Sequence, residues 1–432
     1  AWPCHRCSAF HVDCPCRTSS TRVSAIRWSL GCTRDRDPGT AGRRRRGARR
    51  AGARPRRRRR PVRGRASPAT TSSSSPSRST RTSTRSGTGQ PRSRKHPYAS
   101  PCSSTVSTWS RSAGRQPAVP AVPSELHVTT PRAEIVATGI QFGEGPAWVP
   151  ARDGEPAHLV CTAVAAGAVE RIDLATGTVT RVADVGGGAN AVIPAADGGF
   201  VVTQNGGIDF TKTGLYDAPP PYRPVTPGLQ RVAADGSVTY LVDASSDEGP
   251  FLAPNDLAVA ADGTLWFTDP PHHPPPPTPA GRVHVLRPDG TTHVVARDFH
   301  YCNGIAFDSD GTPVVIEASG LVRLYPDGTW SWITEQVSPS GASGDGFCVD
   351  AEGRYYVAAT ADHGIRVLDA DGGQLDFLEV PGGGITTNCC FGGADGRTLF
   401  ATDGVPGQVV AWEGMPTPGL PVHAWPVPAG PG

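Results

Sequence analysis

Long hydrophobic runs are absent from this sequence of 432 residues, and no stretch approaches 18 consecutive apolar residues. A membrane-spanning helix is therefore not expected. The chain does not open on a charged segment followed by an apolar one, so the sequence shows no secretory signal. Residues 125–432 contain no G-x-S-x-G motif, and a serine nucleophile of the α/β-hydrolase kind is not indicated.

Lysine is also scarce, because Lys95 and Lys212 are the only lysines among 42 basic residues. Residues 1–124 hold 28 basic and three acidic residues, whereas the rest of the chain holds 14 basic and 36 acidic ones. The basic segment has no apolar periodicity and predicts a disordered stretch without a core. A nucleic-acid-binding arm, an inert tail and a mis-translated stretch of a GC-rich gene all fit this composition. We expect no nucleic-acid partner and treat 1–124 and 125–432 as separate units.

The second unit contains an internal repeat with six copies. Each copy begins with a carboxylate or amide residue, continues through an apolar stretch, turns at glycine and becomes apolar again. We call these first residues the anchors; they are Glu144, Asn190, Asn255, Asn303, Asp345 and Asn388. In five of the six copies an Asp-Gly or Glu-Gly turn starts seven residues after the anchor. Such a turn between two apolar runs is a strong hairpin signal.

A second apolar hairpin follows each first one, which gives four strands per copy. Four of the five anchor spacings are 42–48 residues, the period of a propeller blade. The sequence therefore predicts an all-β protein, a six-bladed β-propeller with four antiparallel strands per blade over about residues 130–425. Residues 133–140 are expected to close the ring as an outer strand. The exceptional spacing of 65 predicts a Pro-rich loop between the second and third anchors.

Residues at one register of the innermost strands converge at one end of a propeller's channel, so the anchors are expected to form a ring. Two carboxylates and four amides offer mainly oxygen ligands, which suit Ca²⁺. The absence of thiolate and imidazole from this ring argues against structural zinc. Asn190 and Asn388 are interpreted as architectural residues that satisfy nearby backbone groups.

The motifs FGEGPAWVP, PNDLAVAADGTLWFTDP, CNGIAFDSDG, GDGFCVDAEGRYYVAA and TNCCFGGADGRTLFAT resemble those of the SMP-30/gluconolactonase family of six-bladed lactonases. The match runs in order over about 290 residues. The resemblance implies one divalent cation, with Ca²⁺ preferred and Zn²⁺, Mn²⁺ or Mg²⁺ as alternatives. It implies Glu144, Asn303 and Asp345 as metal ligands, Asp345 also as general base, and Asn255 as a contact to substrate or metal-bound water.

The sequence departs from the family's animal members around the third anchor. Those members carry Arg two residues before it, where this chain has Ala253 followed by Pro254. The following loop, which starts at Asp269, is rich in proline and contains His272 and His273. Of the two histidines, His273 is predicted to contact substrate.

The expected function is hydrolysis of a lactone at the channel mouth, with sugar lactones as the substrates that the resemblance implies. A non-catalytic binding propeller with a structural cation and an esterase for non-sugar lactones are the alternatives. Five cysteines lie in the strand patterns of the second unit, at Cys161, Cys302, Cys348, Cys389 and Cys390. An odd number of apparently buried cysteines favours a reducing, cytoplasmic location over a disulfide framework.

Overall fold

Six four-stranded antiparallel sheets follow one another along the chain in the computed structural model, which describes residues 131–426. The strands of the first half are β1 (Ala133–Thr138), β2 (Gly143–Val149), β3 (His158–Ala163), β4 (Ala168–Asp173), β5 (Thr178–Asp184), β6 (Ala189–Pro194), β7 (Phe200–Gln204), β8 (Gly228–Val232), β9 (Val238–Val242), β10 (Ala244–Ser245), β11 (Gly249–Pro250), β12 (Leu257–Val259) and β13 (Leu265–Asp269). Those of the second half are β14 (Gly281–Leu286), β15 (Thr292–Phe299), β16 (Cys302–Phe307), β17 (Pro313–Glu317), β18 (Gly320–Leu324), β19 (Trp330–Thr334), β20 (Gly344–Val349), β21 (Tyr355–Ala359), β22 (Gly364–Leu368), β23 (Gln374–Glu379), β24 (Thr386–Gly392), β25 (Thr398–Asp403) and β26 (Gln408–Trp412).

The sheets are the six predicted blades. Blades 1 to 5 are β2–β5, β6–β9, β12–β15, β16–β19 and β20–β23, each beginning with its innermost strand. Strands β10 and β11 form a separate two-stranded hairpin before blade 3. The six-bladed all-β fold with four antiparallel strands per blade is therefore confirmed.

The tight turns form where the sequence predicts them. In blades 3 and 4 the glycine after the turn carboxylate has a positive φ, 85° at Gly263 and 82° at Gly311, which a side chain would disfavour. The carboxylate before this glycine stabilises the turn by accepting a hydrogen bond from a backbone amide. Asp262 accepts a 2.9 Å hydrogen bond from the amide of the residue two positions later. Local chemistry thus sets each hairpin.

Blade 6 is completed by both ends of the described chain. Its strands are β24, β25 and β26, and β1 adds as the outer strand, with Ala133 opposite Trp412 and Thr138 opposite Gln408. The ring is closed by this pairing, as the sequence predicted.

The apolar core lies between the blades. Six clusters of buried side chains each combine residues of two consecutive blades. Leu159 of blade 1, for example, shares a cluster with Phe400 of blade 6. A blade therefore buries its faces only when both neighbours are present.

The long spacing between the second and third anchors corresponds to an irregular segment between β7 and β8. It contains a short 3-10 helix, Phe210–Lys212, and reaches across to blade 6, where the Tyr216 hydroxyl donates to the carbonyl oxygen of Gly404 at 3.1 Å. A second 3-10 helix, Thr360–Asp362, follows β21. Within residues 131–426, no helix is long and apolar enough to span a bilayer. The predictions for residues 1–124 lie outside the described residues.

The segment after β26 crosses the end of the ring opposite the anchors. The amide of Met415 bonds to Arg397 of blade 6 at 2.9 Å, that of Leu420 to Val349 of blade 5 at 2.9 Å, and that of Trp425 to Pro194 of blade 2 at 2.9 Å. Trp425 is 2% exposed and packs in the core between blades 2 and 3. The segment therefore ties opposite sides of the ring together.

Replacement of Trp425 by Ala should lower the free energy of unfolding by about 3–5 kcal/mol, because it empties a large buried site. Val422→Ala on the same segment is the control, since Val422 is 66% exposed. Urea unfolding of both variants measures the effect. Equal stability of the two variants would contradict the role of this segment.

Candidate functional site

Threonines of the second strands fix three of the anchors. The hydroxyl of Thr162 donates to the main-chain oxygen of Asn190 at 2.7 Å, and that of Thr268 donates to the main-chain oxygen of Asn303 at 2.7 Å. Thr203 makes the same bond to Asn255. Each bond runs from one blade to the anchor of the next. The anchor backbone is thereby held, while its side chain is left free to face the channel.

Acidic or amide side chains at the ends of second strands hold the loops that lead into the anchors. Asp269 accepts hydrogen bonds of 2.8 Å from the amides of Leu252 and Ala253. Glu317 accepts bonds of 2.8 and 3.2 Å from the amides of His300 and Tyr301. We did not predict these supports from the sequence, although each lies 14 residues after its anchor, as does Gln204.

Glycine directly follows the three predicted metal ligands and permits close approach of neighbouring anchors. A Cβ at Gly304 would lie 2.6 Å from the main-chain oxygen of Asp345, and one at Gly346 would overlap the side chain of Asn388. Anchors of consecutive blades can therefore come together only because these positions have no side chain.

The structure brings the anchors together as a ring of buried oxygens. Glu144 is 4% exposed, and the asparagines Asn190, Asn255 and Asn303 are all buried. The Oδ1 atom of each of these asparagines has no hydrogen-bond partner. Buried polar atoms are nearly always paired, so three unpaired oxygens in one ring point to a missing ligand. For Asn190 this differs from the architectural interpretation, because its oxygen satisfies no backbone group.

The carboxyl groups of the ring lack a counter-charge among the described residues. Burial and then the charges of Asp345 and Asp256 raise the pKa of Glu144 well above its usual range. Burial and the charge of Asp256 likewise raise the pKa of Asp345, while the amide of Asn303 beside it acts in the opposite direction. These interactions place Glu144, Asn303 and Asp345 in one cluster.

Asp256 belongs to the same cluster and was missed in the sequence analysis. Its two carboxyl oxygens accept hydrogen bonds from the side-chain amide of Asn388 at 3.0 and 2.9 Å, across the channel from blade 6. Burial raises the pKa of Asp256 to about 7. The side-chain oxygen of Asn388 accepts from the amide of Cys389 at 2.8 Å. Asn388 thus bonds to one backbone amide and to a carboxylate of the cluster, and its architectural interpretation stays a prediction.

The bond between Asp256 and Asn388 forms a crossbar across the channel. Both residues line a cavity of about 620 Å³ that continues down the channel. Its walls are mainly apolar and include Trp148, Ile305 and Phe391. The mouth with its unpaired oxygens therefore lies above the crossbar, and an apolar chamber lies below it.

His273 lies at the rim of the mouth. Its ring centroid is 4.2 Å from that of Tyr301, and burial followed by the charges of Asp345 and Glu144 raises the pKa of Tyr301. Partial burial of the imidazole lowers the pKa of His273, although the residue as a whole is exposed. His272 is exposed. Of the two loop histidines, His273 is the one that contacts Tyr301, whose pKa the anchor carboxylates raise.

The donor set consists of carboxylate and amide oxygens and fits a hard cation. Within the described part of the chain, no three His, Cys, Asp or Glu side chains form a metal-binding group. A cation at the mouth would therefore depend on amide oxygens as well as on Glu144 and Asp345. Unpaired amide oxygens and uncompensated carboxylates are the ligands that Ca²⁺ uses. The assignments of metal, catalytic and substrate-binding residues stay predictions.

Comparisons with known proteins agree with this architecture. A family model described as the SMP-30/gluconolactonase/LRE-like region matches residues 142–404. A gluconolactonase of Zymomonas mobilis is 26% identical over 317 residues, which cover 65% of this chain and 81% of that protein. The structure of a gluconolactonase from Xanthomonas campestris superposes with a TM-score of 0.52 and 25% identity over 67% of this chain and 90% of that one. Regucalcin from Agrobacterium tumefaciens, a calcium-binding protein, shares the fold with a TM-score of 0.55 and 21% identity over 68% of this chain and 97% of that one. The chain therefore belongs to the SMP-30/gluconolactonase/LRE-like family.

Proposed function

We propose that this protein is a metal-dependent lactonase that hydrolyses a small lactone at the channel mouth. The gluconolactonases among its relatives support ester hydrolysis of this class. The observation that carries the proposal is the ring of unpaired oxygens, in which the Oδ1 atoms of Asn190, Asn255 and Asn303 are buried beside Glu144 and Asp345. A site built only for structure would be expected to pair these acceptor oxygens with hydrogen-bond donors of the protein.

Glu144, Asn303 and Asp345 are the residues proposed to hold the cation, with Ca²⁺ as the expected ion. When bound, a divalent cation would act as a Lewis acid toward the ester carbonyl of the substrate. The three ligands belong to blades 1, 4 and 5. A bound cation would therefore link these three blades at the centre of the ring.

Asp345 is proposed to accept the proton of the attacking water. Burial and the nearby Asp256 charge raise its pKa, which makes its carboxylate a stronger base than an exposed aspartate. The unpaired Oδ1 of Asn255 can accept a hydrogen bond from that water or from a substrate hydroxyl. His273 at the rim is proposed to contact the part of the substrate that lies outside the channel.

The substrate proposed is a sugar lactone, and the products are the corresponding hydroxy acids. Ala253 and Pro254 offer no charged side chain beside the third anchor, so a non-sugar lactone is the competing substrate class. Turnover of a panel containing both kinds of lactone distinguishes them. A cytoplasmic location and the lack of a nucleic-acid partner stay predictions.

Asp345→Asn should reduce lactone turnover at saturating Ca²⁺ by about 10²–10⁴-fold, because the amide keeps a ligand oxygen but cannot act as a base. The matched control is Asp310→Asn, an exposed turn carboxylate at the opposite end of the channel, which should leave kcat unchanged. Initial rates on a lactone panel provide the measurement. Parental turnover by Asp345→Asn would exclude it as the base.

Glu144→Gln should act mainly on metal affinity, because it removes a charge from a proposed ligand without touching the base. Activity lost at low Ca²⁺ should return in part when Ca²⁺ is raised. A titration of activity against Ca²⁺ measures this for parent and variant. A fall in kcat that no Ca²⁺ concentration restores would argue against the ligand role. If the parent shows no metal-dependent turnover of any lactone, the non-catalytic binding propeller becomes the better description.

The metal-free protein should become less stable as pH rises from about 4 to 7. Raised carboxyl pKa values mean that the folded state holds more protons than the unfolded chain in this window, so stability is lost as these protons leave. Asp256→Asn removes one of these charges and should be more stable than the parent in EDTA at pH 8, but not at pH 4.

Ca²⁺ at a hundredfold excess over Kd should stabilise the parent by about 2.7 kcal/mol. Thermal melts test both; identical melts with EDTA and with Ca²⁺ at pH 8 would contradict the site.

His273→Ala should raise KM several-fold with little change in kcat, since a rim contact binds substrate and transition state alike. His272→Ala is the control, because it is the neighbouring histidine of the same loop, whereas His273 is the one that packs on Tyr301. Steady-state kinetics of the two variants give the comparison. Equal KM values would show that His273 does not contact the substrate.

A further inference from the structure

Two cysteines of consecutive blades face each other in the channel wall. The Sγ atoms of Cys348 on β20 and Cys389 on β24 are 3.5 Å apart. The Cys389 thiol donates to the main-chain oxygen of Tyr356 at 3.1 Å. The hydrogen between the two sulfurs therefore comes from Cys348, which directs its sulfur at that of Cys389. Neither residue has a part in the proposed hydrolysis.

The two sulfur atoms of this pair lie in direct contact, with no other heavy atom between them. A disulfide places its sulfurs about 2.05 Å apart, so these atoms must approach by about 1.5 Å from their present separation of 3.5 Å. Strands β20 and β24 are the innermost strands of blades 5 and 6 and lie in contact. The approach therefore takes place between two strands that are already packed against each other.

Small molecules can reach the pair through the chamber below the crossbar. Cys348, Cys389 and Cys390 line this cavity together with exposed turn residues such as Asp262 and Asp310. Cys348 is partly exposed, whereas Cys161 and Cys302 are fully buried outside the cavity. Of the three described cysteines that line the cavity, Cys348 and Cys389 are the two whose sulfurs are in contact.

Cys390 provides an internal comparison on the same strand. It follows Cys389 directly, so its side chain turns to the opposite side of β24 and packs in the core between blades 6 and 1. Cys389 packs in the core between blades 5 and 6, where Cys348 contacts it. Only one of the two neighbouring thiols therefore faces Cys348.

We infer that Cys348 and Cys389 form an oxidisable dithiol, which a small hydroperoxide entering the channel converts to a disulfide between blades 5 and 6. In the first step the Cys348 thiolate attacks one peroxide oxygen; an S–O bond forms, the O–O bond breaks and hydroxide leaves. The Cys389 thiolate then displaces hydroxide from the sulfenic sulfur and forms the S–S bond. Two thiols and one hydrogen peroxide give one disulfide and two waters.

The disulfide would tether strands that also carry the proposed site. Cys348 lies three residues after Asp345, and Cys389 directly follows Asn388, the residue that holds Asp256. Burial and the neighbouring thiols raise the pKa of Cys348, so its thiolate is rare at neutral pH and the oxidation is slow. The pair therefore stays reduced under ordinary reducing conditions and responds to sustained peroxide.

The test uses the full chain, reduced and then exposed to excess hydrogen peroxide, alkylated in denaturant and digested with trypsin. Mass spectrometry should show residues 324–354 linked to residues 367–397, with two hydrogens fewer than the separate peptides. The link should form in the parent and in Cys390→Ser, and be absent from Cys348→Ser and Cys389→Ser. Dithiothreitol should reverse it.

Thermal melting gives a second measurement that does not depend on lactone turnover. A cross-link between residues 41 positions apart should raise Tm by roughly 5 °C in the parent and in Cys390→Ser. Cys348→Ser treated in the same way should show no such rise, which removes any contribution of other cysteines. Separate alkylation or sulfinic oxidation of Cys348 and Cys389 without a link, or a link to Cys390, would overturn the inference.

Discussion

Closure of the ring is the constraint on which the rest of this structure depends. Six apolar clusters of the described residues are each shared by two consecutive blades, so no blade can bury both faces alone. The pairing of β1 with β26 supplies the last neighbour and brings blade 6 against blade 1. The segment that ends at Trp425 adds a tie across the opposite end of the ring. The anchors can converge at one mouth only because the circle is complete.

The mouth that results is electrostatically unfavourable without a ligand. Burial raises the pKa of Glu144, Asp256 and Asp345. The charge of Asp256 raises the pKa of Asp345 further, and the charges of both raise that of Glu144. Threonine bonds from the preceding blade hold the main chain of Asn190, Asn255 and Asn303 but leave their side-chain oxygens unpaired. These bonds hold the anchor backbone in place, so the cation of the proposed function would meet ligands that are already organised. Under the proposed function, cation binding would restore the stability that burial of these carboxyl groups costs.

The innermost strands serve more than one purpose along their length. On β20, Asp345 belongs to the ring of anchors, and Cys348, three residues later, lines the chamber. On β24, Asn388 supports the crossbar and the next residue meets Cys348. The crossbar between Asp256 and Asn388 separates the polar chemistry of the mouth from the thiol chemistry below it. A change in the spacing between blades 5 and 6 would therefore alter both the mouth and the contact between Cys348 and Cys389.

The sequence by itself determined the number of blades, their hairpins and the ring of anchors, because a repeated turn such as Asp262-Gly263 acts on its own few residues. It also identified residues 133–140 as the closing strand. Tertiary structure decided what lies beside the anchors. Asp256 was missed because the inner-strand pairing is irregular next to the anchors, as between Glu144 and Ala147, so simple alternation does not tell which neighbour faces the channel. The contact of Cys348 with Cys389 and the crossbar from Asp256 to Asn388 join different blades, and their distances are fixed only when the packed ring sets the angle between one blade and the next.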